Sequence, residues 1–141
     1  MQCRGVRGAT TVESNTREAI LQETRRLLAV MVRENGLRPE DIGSAIFTVT
    51  RDIDAEFPAV AARQLGWRDV PLLCGYEIHV PNSLPHCIRV MLHWNTEKTQ
   101  QEIVHVYLKN AVTLRPDLAE PPEMNVDFTE VDAWIEKIIG R

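Results

Sequence analysis

The octet CIRVMLHW, Cys87 to Trp94, alternates without a break. Ile88, Val90, Leu92 and Trp94 fall on one side of an extended chain, and Cys87, Arg89, Met91 and His93 on the other. A period of two is that of a β-strand, whose successive side chains point to opposite faces. The apolar face requires a covering layer. The opposite face holds an arginine with no acid within four residues on either side, so its guanidinium must meet water, a carboxylate from elsewhere in the fold, or a bound anion. A sheet with one dry face and one chemically engaged face is the expectation.

The remaining segments supply that sheet and its cover. QCRGVRGATT alternates, with Arg4 and Val6 opposite Cys3, Gly5 and Arg7, and predicts a first strand. REAILQETRRLLAVMVREN carries Ile20, Thr24, Leu27, Leu28, Met31 and Val32 at helical spacing, with Asn15 as N-cap, Gly36 as the left-handed stop and Pro39 beyond it. SAIFTVT reads as a buried strand from its length and β-branched content. A short helix follows from Pro58 to Gly66. VPLLCGYEIHV is a further strand in which Gly75 marks a bulge or a close backbone approach, and PNSLPH returns the chain to the Arg89 strand as a hairpin. TQQEIVHVYL, with Thr99 and Glu102 in capping-box spacing, predicts a short helix, and AVTL a last edge strand. After the proline-punctuated RPDLAEPPEMNVD, Phe128, Val131, Ile135 and Ile138 form the apolar stripe of a docking helix. The order predicts an α+β fold, a mixed β-sheet with one long helix on one face. Too little chain remains to cover the other face, which points to solvent or to another subunit.

Length and composition bound the function. The 141 residues suit one domain with a modest core, and no apolar run approaches the roughly 18 residues of a membrane span. Met1 is followed by polar and charged residues instead of an apolar signal core, and Cys3, Cys74 and Cys87 are odd in number and far apart, so a reducing, cytoplasmic setting without a disulfide framework is expected. A net charge of −4 argues against nucleic acid as a partner. Of the 16 basic residues only Lys98, Lys109 and Lys137 are lysines, and arginine forks suit carboxylate ligands. The four histidines have no metal-ligand spacing.

Arg7, Arg89, Glu77 and Tyr107 are polar groups in segments that otherwise read as core. Each alone reads as a salt-bridged or packing residue. Together they suit a small, multiply anionic ligand that carries a hydroxyl, although spacing does not show that they converge.

The opening RGVRGATTVE, the FPA of Phe57 to Ala59, CGYE, CIRVM and HVYLKNAVTLRPDL, taken in order, resemble the monofunctional, trimeric pseudo-α/β-barrel type of chorismate mutase. The resemblance runs from about residue 2 to residue 118, with one apparent single-residue deletion near Gly66. It implies a domain over 1–118, with 119–141 as linker and C-terminal amphipathic helix or tail, and a homotrimer whose active sites lie between subunits. It also implies conversion of chorismate to prephenate, on the route to phenylalanine and tyrosine. That rearrangement is intramolecular and requires no cofactor or metal. By the same resemblance Arg89 is the cation beside the ether oxygen, Arg7 binds a substrate carboxylate, Glu77 accepts the ring hydroxyl and Tyr107 holds the enolpyruvyl carboxylate. Leu73, Cys74, Gly75 and Tyr76 line the same edge, with Phe57, Ala59, Arg63, Leu114 and Arg115 at lining or flanking positions. Two positions depart from the family pattern: Val60 stands where a lysine is expected near the entrance, and Leu73 replaces a small polar residue. The rival reading is a non-catalytic trimer that holds a carboxylate metabolite with the same arginines, and a third is imine or enamine hydrolysis on such a trimer. The joint presence of Glu77, Arg89 and Tyr107 favours the mutase, since a simple anion binder needs no acid that pairs with a hydroxyl.

Overall fold

The computed structural model describes residues 1–114 and 126–140. Strands β1 (Gln2–Thr11), β2 (Ile42–Val49), β3 (Leu72–Tyr76), β4 (Cys87–Thr96) and β5 (Val106–Tyr107) form one mixed sheet in the order β3-β2-β4-β1-β5. Central β4 is antiparallel to both neighbours, β1 and β2, while β3 is parallel to β2 and β5 is parallel to β1. Helix α1 (Arg17–Asn35) lies across one face, and α2 (Ala59–Gln64) and α3 (Phe128–Ile139) pack beside it.

The dry face is the one the alternation of β4 predicts. Val90, Leu92 and Trp94 join Val6 of β1 and Ala45 and Phe47 of β2 beneath Leu27, Leu28 and Met31 of α1, all in one buried cluster. At about 25 cal/mol per Å², burying side chains of this size is the main source of stability. The helix approaches β1 closely at Gly8, where an added Cβ would come within 2.4 Å of the Met31 sulfur. Gly36, with φ of +65°, ends α1 in the left-handed conformation expected of it, its N–H bonding to the Val32 carbonyl.

Several local expectations differ from the structure. Thr16, not Asn15, caps α1, its hydroxyl accepting from the Ala19 amide. The Asn15 amide is drawn away by the loop at Asp54 and Ala55, where it makes three hydrogen bonds. β3 and β4 are not a hairpin, because β2 lies between them. The connection over residues 77–86 far exceeds the two to five residues of a tight hairpin loop, and turn composition reports reversal without naming the neighbour. No bulge occurs at Gly75, since the β2–β3 register is continuous. The capping box of Thr99 and Glu102 forms, yet it starts only the 3₁₀ turn Gln100–Glu102. The chain then extends, because the Arg7 amide bonds to the His105 ring at 3.0 Å and Val106–Tyr107 becomes the edge strand. AVTL is part of a 3₁₀ segment, Lys109–Leu114, instead of a strand.

The amphipathic stripe of α3 behaves as its spacing predicts. Val131 and Ile135 are buried in the main core, with Phe128 and Ile138 packed against it. Asp127 caps the helix, and Arg26 of α1 forks onto Asp132 with hydrogen bonds of 2.9 and 2.7 Å. Arg26 also lies 4.9 Å from the centre of the Phe128 ring. α3 thus sits on the helix layer and not over the open sheet face.

The hydrogen bonds from Arg26 hold the Asp132 carboxyl below the ordinary aspartate range. A carboxylate with a depressed folded value stabilises the fold fully at neutral pH, and that contribution is lost as the pH falls through the folded value. Asp132→Asn is therefore expected to lower the thermal midpoint at pH 7, with the deficit shrinking below about pH 4. Paired melting curves at the two pH values check this, and a deficit that persists in acid would contradict it.

Candidate active site

The sheet register aligns the residues of the open face in rows. Thr48 pairs with Gly75 of β3 and with Arg89 of β4, Arg89 pairs with Ala9 of β1, and Ala9 pairs with Tyr107 of β5. One row therefore crosses all five strands and places Arg89 between Thr48 and Ala9. Small neighbours leave space above it. The adjacent row is Leu73, Ile46, Met91 and Arg7, which brings the second arginine to the same face.

A concavity of about 430 Å³ opens over these rows and is lined by Arg7, Glu77, Arg89, Tyr107 and Leu114 among others. Glu77 arrives by continuing the β3 pairing one bond further, its amide donating to the Val49 carbonyl at 2.9 Å. Its carboxylate then accepts from the Thr48 hydroxyl at 2.5 Å and lies 3.7 Å from Arg89 Nε. That separation is ionic without being a hydrogen bond. Arg89 Nε is buried and has no hydrogen-bond partner among the described residues, while 43% of the side chain is accessible. A buried donor without a partner is uncommon in folded proteins, and the Thr10 hydroxyl and the Trp94 indole nitrogen share that state here; Arg89 differs from them in lining the concavity. Burial pushes the neighbouring Cys87 thiol up, with Arg89 opposing the rise, so the sulfur stays neutral beside the guanidinium. Among the described residues no three His, Cys, Asp or Glu side chains are grouped to hold a metal ion.

The other residues nominated from the sequence lie apart from this concavity. Phe57, Cys74, Gly75 and Tyr76 line a separate depression with Ile53 and Pro58. Phe57 and Tyr76 are exposed there. Ala59 is buried at the start of α2 and Arg63 is exposed at its end, while Leu73 is 64% exposed on the free edge of the sheet. Burial pushes the Cys74 thiol up, so it is a neutral donor and not a nucleophile. Arg115 lies outside the described residues.

The pattern of the chorismate mutase type I family matches residues 3–118. The chain belongs to that family. It is 54% identical over 116 residues to the chorismate mutase AroH of Thermus thermophilus, across 82% of this chain and 95% of the relative. Identity to the chorismate mutase AroH of Bacillus subtilis is 48% over 120 residues, across 84% of this chain and 94% of that one. A solved chorismate mutase from Clostridium thermocellum superposes with a TM-score of 0.75 at 55% identity, covering 76% of this chain and 96% of the other.

Sequence reasoning missed several members of the site. Thr48, which orients Glu77, and Ile46, Met91 and Ala9, which line the concavity, were not singled out. The signal was present in SAIFTVT, whose Ser44, Ile46 and Thr48 alternate with buried Ala45, Phe47 and Val49. Reading that run as wholly buried concealed its open side. Among the described residues no helix is long and apolar enough to cross a membrane.

Proposed function

We propose that the protein rearranges chorismate to prephenate, as a cytoplasmic homotrimer, with Arg7, Glu77, Arg89 and Tyr107 in the roles that their family positions imply. The observation that carries this reading is their convergence on one concavity. The reaction is a [3,3] shift within one molecule: the ether C–O bond breaks as a C–C bond forms, and no proton is transferred. Negative charge grows on the ether oxygen because breaking runs ahead of making. A fixed guanidinium beside that oxygen stabilises the transition state more than the substrate, which is the condition for catalysis. Rigidity comes from β4, hydrogen-bonded on both sides. Arg7 and Tyr107 hold the two carboxylates and Glu77, oriented by Thr48, accepts the ring hydroxyl, so the bound substrate is kept in the folded conformer that reacts. This use of an acid in an otherwise cationic pocket favours the mutase over a simple carboxylate binder.

Residues 1–118 form the catalytic domain in this reading, and the residues around β3 and α2 complete the site of a neighbouring copy. Phe57, Ala59, Arg63, Leu73, Cys74, Gly75 and Tyr76 supply its second wall, and Arg115 keeps the lining or flanking role that its family position implies. Exposed Ile46, Leu73, Tyr76, Ile78 and Val80 give the apolar surface that contact between copies would bury. Loss of chorismate absorbance with purified protein and no added metal or nucleotide tests the activity. Subunit mixing tests the shared site. Arg89→Ala and Arg63→Glu enzymes, each poorly active alone, are unfolded together and refolded; about a quarter of the sites in random trimers then join an intact half from each variant and recover activity. No recovery above the parents would place each site within one chain.

A further inference from the structure

Lys109 stands at a corner that backbone sterics disfavour. Its φ is +52°, in the left-handed region where a residue with a Cβ is uncommon, and it opens the 3₁₀ segment Lys109–Leu114. Tyr107, two residues earlier, and Leu114, at the far end of the segment, both line the concavity. The corner therefore sets where both stand. Something must hold it, and the Lys109 side chain shows what: Nζ reaches Glu23 of α1 at 2.5 Å. Glu23 is withdrawn from water, with only 6% of its side chain accessible, so this ion pair is weakly screened and sharply located. Both Glu23 oxygens also accept from Arg26 Nη1 at 3.2 Å. The rest of the Arg26 fork is spent on Asp132 of α3. One unbroken run of charged hydrogen bonds thus joins the C-terminal helix to the corner beside the concavity.

We propose that Lys109 is a positioning residue for substrate binding: its pair with buried Glu23 sets Tyr107 and Leu114, and α3 stiffens that pair through Arg26. The inference rests on the reading of the concavity as the chorismate site. A carboxylate contact made by Tyr107 is present in substrate and transition state alike, so its misplacement raises KM. Arg89 sits on β4, outside this relay, so kcat is left nearly alone.

The test is steady-state kinetics of the full-length chain with chorismate. Lys109→Met, which keeps the length and loses the charge, is expected to raise KM about tenfold with kcat within about twofold. Lys109→Arg is expected to restore most of the affinity. Asp132→Asn is expected to raise KM about twofold, and the double variant Lys109→Met with Asp132→Asn to be no worse than Lys109→Met alone, since both act through one link. A folded Lys109→Met enzyme with unchanged KM overturns the proposal, as does a lowered melting temperature with unchanged KM, the result of a merely structural role. Fully multiplicative effects in the double variant remove α3 from it. Tyr107→Phe separates the two readings: unchanged KM there defeats the assignment of the concavity, whereas a raised KM there beside an unaffected Lys109→Met defeats only the positioning role.

Discussion

Arg89→Ala is expected to lower kcat by about a hundredfold to a thousandfold, the roughly 2.7–4 kcal/mol lost when one preorganised donor to a developing oxyanion is removed. The fold is expected to survive. The Arg89 side chain is 43% accessible, its Nε makes no hydrogen bond among the described residues, and its carboxylate neighbour, Glu77, keeps the Thr48 hydroxyl. Arg89→Lys is expected to remain severely impaired as well, because an ammonium on a flexible stem does not reproduce the place or the fork of a guanidinium. Chorismate turnover with circular dichroism of the same samples checks both. A fully active Arg89→Ala enzyme would remove this residue from the mechanism, whereas an unfolded one would mean that the arginine is structural.

The second large effect concerns stability. Phe47 is fully buried on the dry side of β2, directly behind the strand that presents Ile46 and Thr48 to the concavity. Phe47→Ala deletes a ring from the centre of the main core, and partial collapse around such a cavity leaves a cost of about 3–5 kcal/mol. Denaturant unfolding at one fixed protein concentration is the measurement, since assembly would make apparent stability depend on concentration. A loss below about 1 kcal/mol would mean that Phe47 is not the core residue its burial indicates.

The strands and the helix around these two residues also show how much of the fold is legible in the sequence. The alternation in CIRVMLHW sorted β4 correctly into a dry side and a side bearing Arg89, and the stripe from Ile20 to Val32 located α1 with its stop at Gly36. Both signals are local and periodic. The strand order was not local: β2 separates β3 from β4 by pairing choices made across the sheet, and no turn residue encodes them. The cap at Thr16 and the contraction of the short helix expected after Thr99 to a single 3₁₀ turn are likewise tertiary outcomes, decided by a loop contact at Asp54 and by the Arg7–His105 hydrogen bond. For the site, spacing nominated Arg7, Glu77, Arg89 and Tyr107 individually, but their meeting depends on four strand pairings that only the folded sheet displays. Family resemblance supplied that link from the sequence. It also nominated Phe57, Arg63 and Cys74, which lie outside the concavity of the single chain.

The row from Gly75 to Tyr107 crosses five strands, a span of about 19 Å at ordinary strand spacing, and every group in it is bolted to the backbone ladder. Such a scaffold offers evolution no hinge with which to slide one functional group past another. New ligand preferences would have to arise by trading side chains in place, above all at Ala9 and Thr48, the two positions that flank Arg89 in its row and line the concavity, where each added carbon would fill the room over the guanidinium.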